Sequence, residues 1–289
     1  MSGTATKELI RFFSISFFFA TAVTIAMYAF ELPAEALVLV MGSVFFSAIV
    51  CEKIDGVSVA KNILSQFTTV RWVKIVKSYA FFAVLFLCIQ IMCIMLLSFV
   101  SPAFGTLVTS DVAFQQLNAQ VGFGYSQTMS LVQAAFGSVL MAIILGATIS
   151  GAFAFLEEYA WRGYVYQKTA ELSYFKQDMI IGVLWGLWHA PAIMLLGLNY
   201  PDNRLEGVIL MVIFTTVVSF VFNAMRRSSG SVVLSAMGHG FINAAGAQIL
   251  FFAGQPDGLL GPVTGLSGIM AFLITYAVMR FGAVTARTT

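Results

Sequence analysis

The sequence predicts an all-α, polytopic helical membrane protein. Of its 289 residues, 60% are hydrophobic and only 10% are charged, against about 25% charged residues in soluble globular chains. Apolar stretches of about 20 residues recur along the whole length, and each is long enough to cross about 30 Å of hydrocarbon. A β-barrel would instead show short segments of alternating polarity. The composition therefore indicates a chain built for lipid rather than for water.

Eight transmembrane spans account for these apolar stretches. They cover about residues 9–30, 34–51, 76–101, 135–160, 179–198, 207–225, 231–253 and 262–281. The first span follows Lys7 and Arg11, as the apolar core of a signal peptide would, but it is longer than such a core and lacks a small-residue cleavage site. We therefore expect an uncleaved span. No repeat or linker divides the chain, which predicts one membrane domain over residues 1–289.

The distribution of Lys and Arg predicts the orientation. With these boundaries, every Lys and Arg except Arg204 falls on one side of the membrane, the side that also bears both termini. Basic residues are retained in the cytoplasm, so we expect both termini there and, in a prokaryote, a place in the cell membrane. The basic residues are spread over several loops, which predicts no nucleic-acid partner. The odd, scattered set of three cysteines indicates no disulfide framework.

Two of the connections between spans are long. Residues 52–75 are basic and partly amphipathic, which predicts either a surface helix on anionic lipid or an ordinary cytoplasmic loop. Residues 102–134 lie on the other side and are polar but almost uncharged, with Asp111 as their one charged residue. Their pattern predicts no role.

Glu157, His189 and His239 are ionisable residues that lie inside three separate predicted spans. Glu157 precedes Lys168 by 11 residues, while His189 follows Lys176 by 13 and His239 follows Arg227 by 12. At 1.5 Å per residue these separations are roughly 16, 20 and 18 Å along their helices. The three spans therefore bring polar groups to a similar depth, and we expect a site there that is reached from the cytoplasmic side.

Spacing within each stretch supports this interpretation. Glu158 and Arg162 are four residues apart and able to pair on one helix face, and His239 shares a face with Asn243 and with Ser235. Pro191 predicts a bend beside His189. The alternative is that these groups are only interhelical polar contacts. An intramembrane charge costs about 2.5–3.5 kcal/mol, however, and usually marks function. We interpret Glu158–Arg162 as a structural pair that supports the site.

This set of groups suits hydrolysis by an activated water. A carboxylate beside an imidazole can hold and deprotonate water, and a histidine with an asparagine can stabilise an oxyanion. Glu157, His189 and His239 are also able to bind zinc, but the sequence has no H-E-x-x-H motif. We therefore expect no cofactor, with zinc as the lesser alternative. No serine or cysteine triad is evident, and Trp185, one turn before His189, is interpreted as packing.

The same stretches resemble the CPBP family of CAAX proteases and bacteriocin-processing enzymes, also called the Abi family. Its pattern is E-E-x-x-x-R, then F-x-x-x-H, then H-x-x-x-N/D on separate transmembrane helices. The matching stretches here are Glu157-Glu158-x-x-x-Arg162, Trp185-x-x-x-His189 and His239-x-x-x-Asn243. Trp185 in place of Phe is the one departure. The resemblance covers about residues 135–255, the expected catalytic core. Within the family, this stretch is similar to the Ras-converting-enzyme type of CAAX prenyl endopeptidase.

The resemblance implies an intramembrane peptidase of the glutamate type. Glu157 and His189 would activate water, and His239 and Asn243 would form the oxyanion site near the cytoplasmic side. The substrate would be a membrane-associated peptide or protein, which is prenylated in the eukaryotic branch of the family. Two other functions stay open: a non-catalytic scaffold or immunity-type protein of the same family, and a proton-coupled transporter, whose inverted repeats are not evident in the sequence.

Overall fold

The structure is a computed structural model that describes the backbone of residues 3–288 and the side chains of residues 3–280. Over this range the chain is helical, as predicted, and forms an integral multi-pass membrane protein. The helices in chain order are α1 Gly3–Ala29, α2 Leu37–Ile54, α3 Val59–Thr68, α4 Trp72–Ser98, α5 Asp111–Val121, α6 Leu131–Ala147, α7 Ile149–Glu158, α8 Tyr166–Lys168, α9 Tyr174–Trp188, α10 Ala190–Leu196, α11 Arg204–Ser229, α12 Val233–Phe252 and α13 Leu266–Thr288.

Each predicted span coincides with helix. Five helical segments of the described chain are long and apolar enough to cross a membrane, and a bent pair makes a sixth. The predicted spans 231–253 and 262–281 coincide with α12 and α13. These two helices are not among the six segments. The helix α12 carries intramembrane polar residues, and α13 has a shorter apolar stretch, Leu266–Arg280. The number of eight spans and the position of the termini stay predictions.

The predicted single span 135–160 is wrong in detail, because the structure divides it into α6 and α7. The two parts meet at Thr148 with a bend of 48°. Glycines explain this geometry: a Cβ on Gly240 of α12 would lie 2.5 Å from the Cα of Gly151, so the two backbones touch beside the bend. The Ser150 hydroxyl then donates to the Gly240 carbonyl at 2.8 Å. This close approach brings α7 against the helix that carries His239.

A π-helical stretch, Tyr159–Val165, follows α7 and leads into α8. Such single wide turns are frequent at functional sites. Here the wide turn directly follows Glu157 and Glu158, and it is anchored by the Tyr159 hydroxyl, which donates to the buried carboxylate of Glu52 at 2.8 Å. The anchor fixes the end of α7 against α2.

Loops that carry the basic residues contact one another on one face of the protein, the basic face. Lys168 pairs with Asp55 at 2.7 Å, and Lys74 donates to the carbonyl of Ser228 at 2.9 Å. The helix α3 docks on this face, where the Ser231 hydroxyl donates to the carbonyl of Gln66 at 2.6 Å. Of the two alternatives for residues 52–75, a helix is present, while its contact with anionic lipid stays a prediction.

The opposite face, the far face, is built by the other set of loops. Backbone N–H groups of Thr106 and Val108 donate to the carbonyls of Ala253 and Phe252 at 2.8 and 2.9 Å. The hydroxyl of Tyr200 donates to the carbonyl of Thr264 at 2.8 Å. Residues 102–134, for which the sequence predicts no role, contribute α5, whose Phe114 packs on Phe251 near the end of α12. They hold the loop after α12 in place.

Candidate active site

One cavity of about 760 Å³ brings together the four side chains that the sequence singled out for chemistry. Glu157, His189, His239 and Asn243 all line it. They come from α7, from the junction of α9 and α10, and from α12, three separate segments of the chain. The cavity falls in the range of about 300–1,000 Å³ typical of ligand sites.

One oxygen of the Glu157 carboxylate accepts a hydrogen bond from the protein, and the other oxygen has no partner among the described residues. Its Oε2 accepts a hydrogen bond of 2.8 Å from the indole Nε1–H of Trp185. No described residue donates to its Oε1, and the side chain lines the cavity. Glu157 therefore presents one free acceptor oxygen to a molecule in the cavity.

His189 lies where α9 ends and α10 begins, with Pro191 in the first turn of α10. The helix is thus interrupted at the histidine, while the predicted bend stays a prediction. The Nδ1 of His189 lies 2.8 Å from the carbonyl of Trp185. A carbonyl only accepts hydrogen bonds, so Nδ1 carries the proton and Nε2 of the neutral ring is an acceptor. Among the described residues Nε2 has no partner, and the ring faces the cavity.

The imidazole of His239 is positioned by Glu158. Its Nδ1 lies 3.0 Å from the Glu158 Oε1, and the ring stacks on Phe222 at a centroid distance of 5.9 Å. Glu158 is also the acceptor for Arg162, which identifies it as an ionised carboxylate. The Nδ1 of His239 therefore donates to this carboxylate.

The pair Glu158–Arg162 is fully buried behind the cavity. The Nη1 of Arg162 donates to Glu158 at 2.9 Å, as the four-residue spacing predicts, and its Nη2 donates to the hydroxyl of Ser219 at 2.9 Å. The guanidinium also lies 4.3 Å from the centroid of the Trp185 ring. Several partners thus share the cost of burying this charge, and Glu158 connects the pair to His239.

Asn243 lies one turn after His239 on α12, exposed within the cavity. Ser235 lies one turn before His239 but turns away from the cavity, and its hydroxyl donates to the carbonyl of Val232 at 2.9 Å. The polar face predicted for α12 is therefore divided: His239 and Asn243 face the cavity, and Ser235 is a buried helix contact.

Residues 137–245 match a family model described as type II CAAX prenyl endopeptidase, Rce1-like. The centre of this chain is similar to the Rce1-like CAAX proteases. The match contains all three motif stretches and confirms the predicted resemblance to the CAAX-protease family. That family consists of endopeptidases that act on membrane-associated prenylated peptides. No curated protein matches the chain at a significant level.

The three candidate zinc ligands are Glu157, His189 and His239. Among the residues that the structure describes, no three His, Cys, Asp or Glu side chains are grouped closely enough to hold one metal ion. The Nδ1 atoms of the two histidines contact Trp185 and Glu158, which leaves each Nε2 without a partner among the described residues. The expectation of no cofactor, with zinc as the lesser alternative, stays a prediction.

The cavity lining indicates a direction of access that differs from the expected one. We expected a site reached from the side of the basic loops, because the polar residues lie a few turns from basic side chains. The lining instead extends from Glu157 and His239 toward Asp202, Gln255 and Thr264 on the far face. Depth along a helix gives the distance to an interface, but it does not show which interface is open, so spacing could not reveal this.

Sequence reasoning missed three contributors to the site. Trp185 was interpreted as packing, yet it hydrogen-bonds both Glu157 and His189; its place in the F-x-x-x-H pattern was the available signal. Glu52 supports the π-helical stretch, and Asp202 lines the cavity. Nothing in the spacing of these two acidic residues distinguished them from ordinary residues near an interface.

Proposed function

We propose that this protein is an intramembrane endopeptidase in which Glu157 and His189 activate a water molecule. The observation that carries the proposal is the pair of free acceptors on one cavity, the Oε1 of Glu157 and the Nε2 of neutral His189, both anchored by Trp185. A water that donates one hydrogen to each acceptor keeps its lone pairs available for attack. Such a geometry suits general-base catalysis.

The reaction follows from these positions. The water oxygen bonds to the carbonyl carbon of the peptide, and its proton passes to Glu157. The resulting oxyanion accepts hydrogen bonds from the Nε2–H of protonated His239 and from the side-chain amide of Asn243. The C–N bond then breaks as Glu157 returns the proton to the leaving nitrogen. Loss of one oxyanion donor typically costs about 2.7–4 kcal/mol of transition-state stabilisation.

Replacement of the proposed base tests this function. We expect Glu157→Gln and His189→Ala to lower cleavage by about 10²–10⁴-fold, the usual contribution of a general base, while the folded protein stays in the membrane. New peptide termini in membranes from cells with the wild type should be absent with Glu157→Gln. Ser235→Ala is the matched control, because Ser235 is a polar residue of α12 outside the cavity. Peptide termini that are identical with the wild type and with Glu157→Gln would overturn the proposal and favour the scaffold or transporter alternatives.

Metal dependence is tested on the same purified protein. In the proposed mechanism the protein groups act on water directly, so activity should survive a chelator that removes zinc. Zinc catalysis normally takes three protein ligands and leaves one open position. Activity that is lost to the chelator and regained with added Zn²⁺, in protein that stays folded, would replace the water-activation mechanism with a metalloprotease.

A further inference from the structure

We infer that the substrate of this site is a peptide segment delivered from the far face, the extracytoplasmic side in the predicted orientation, and not a cytoplasmic prenylated tail. The inference rests on the proposed peptidase function and adds the class of substrate to it. Three features of the structure carry it: the path of the cavity, the closure of the basic face, and the chemistry of the mouth.

On each helix that lines the cavity, the lining residues lie between the level of the catalytic residues and the far face. On α12 the lining begins at His239 and continues through Leu250, with no residue before His239. On α11, which runs in the opposite direction, it extends from Met211 to Phe222 and includes none of the last turns. On α2 only Leu37, Val40 and Met41 of the first turns contribute. Every wall therefore runs from the catalytic residues to the far face.

The basic face is closed beneath the site. Arg162, Trp161 and Glu158 are fully buried directly behind the catalytic residues. Further out, the guanidinium of Arg227 and the amide of Asn223 both donate to Asp178 at 2.8 Å and join α11 to α9. These packed and paired side chains lie between the cavity and the basic face.

The helix α3 covers the beginning of α12 on this same face. The backbone N–H of Val232 donates to the Oε1 of Gln66 at 3.2 Å, and the Ser231 hydroxyl donates to the Gln66 carbonyl. Residues 231 and 232 directly precede the helix that carries His239. A cytoplasmic peptide tail would have to displace α3 and the pair Arg227–Asp178 to reach Glu157.

The mouth of the cavity suits a polypeptide. Side chains with amide groups, Asn199 and Gln255, line it together with the exposed carboxylate of Asp202. Amides can donate to and accept from a peptide backbone. Deeper in, the walls are mainly apolar and aromatic, including Met41, Phe214 and Leu250. An extended peptide with apolar side chains satisfies both regions.

Cysteine accessibility tests the direction of entry without any need for a substrate. In protein with Cys51, Cys88 and Cys93 changed to Ala, single cysteines are introduced at Asp202 in the mouth and at Ala247 in the cavity wall. A membrane-impermeant methanethiosulfonate should modify both in intact cells. The matched control is Ala236→Cys, three turns before Ala247 on the same helix, buried and outside the cavity. Lys61→Cys on α3 should react only in inside-out vesicles.

A second measurement identifies the substrate class. Peptide termini in membranes from cells with the wild type are compared with those from cells with Glu157→Gln, and each new terminus is assigned to a side of the membrane. We expect the new termini in extracytoplasmic segments. Modification of Ala247→Cys from the inside alone, or new termini confined to cytoplasmic or prenylated tails, would overturn the inference. Identical termini would overturn the proposed function, and the substrate class with it, while external labelling of Ala247→Cys would still establish the direction of the cavity.

Discussion

Trp185 connects the two groups that act on water in the proposed mechanism. Its Nε1–H donates to Glu157, and its backbone carbonyl fixes the tautomer of His189. The Phe of the family pattern has no ring N–H, so the contact with Glu157 depends on the tryptophan of this chain. The single departure from the motif thus adds a hydrogen bond at the candidate base.

We expect Trp185→Phe to lower kcat by about 10- to 100-fold with little change in KM. The variant removes a hydrogen bond to a charged group, which is worth about 1.5–3 kcal/mol. Kinetics on a peptide that the wild type cleaves, together with melting temperature, measure the effect. Trp161→Phe is the control, because the Nε1–H of this buried tryptophan has no partner among the described residues. A kcat for Trp185→Phe within twofold of wild type would show that the hydrogen bond does not position Glu157.

Arg162→Ala tests the buried pair. Without the guanidinium, Glu158 keeps a charge in a dry environment, and breaking a buried pair costs about 3–5 kcal/mol. We expect a clear fall in melting temperature in detergent, partly restored in the double variant Glu158→Gln/Arg162→Ala, which removes the unpaired charge. Lys61→Ala on the exposed surface should leave the melting temperature unchanged. Equal melting temperatures for Arg162→Ala and wild type would contradict the structural role of the pair.

The helical segments gain their positions from a few polar and close contacts near the site. The bend between α6 and α7 follows from the touching backbones of Gly151 and Gly240, and the π-helical stretch is held by Glu52. On the basic face, Asp55 joins three segments: it accepts from Arg11 of α1 and Tyr164 of the π-helical stretch and pairs with Lys168 of α8. These contacts fix the end of the segment that carries Glu157.

Asp55 makes this junction sensitive to pH. Burial alone would raise the pKa of its carboxyl, but the hydrogen bonds from Lys168 and Arg11 outweigh burial and lower the pKa. A lowered pKa stabilises the fold above the unfolded value of about 3.9, and this contribution is lost as the pH falls toward the folded value. Asp55→Asn should therefore lower the melting temperature at pH 7 and have a diminishing effect below about pH 4. A gap between wild type and variant that stays constant with pH would show that the charge of Asp55 does not matter.

For the molecule as a whole, composition and motif spacing predicted the helical membrane fold and the four side chains that share the cavity. The spacing of Glu158 and Arg162 also predicted their pairing. The bend at Thr148 and the bond from Glu158 to His239 were not predictable, because both depend on which helices become neighbours. The open side of the cavity depends on how loops distant in sequence pack together, and hydropathy contains no information on that packing.

The orientation of the whole molecule is open to a direct measurement. Reporter fusions near residues 110, 203 and 257 should be extracytoplasmic, and those near 62, 172 and 228 cytoplasmic, because the basic residues lie beside the second set. The structure agrees with this grouping in that the loops of each set contact one another. An inverted result for any adjacent pair of fusions would show that a span has been miscounted.

Part of the mouth of the cavity is made by residues outside the family match. The matched range, residues 137–245, contains the catalytic candidates, whereas residues 255–264 line the entrance and residues 103–108 hold the loop beside it. Part of the entrance is thus encoded apart from the residues proposed for the chemistry. A change in residues 255–264 would then alter which peptides enter the cavity without altering the groups that cut them.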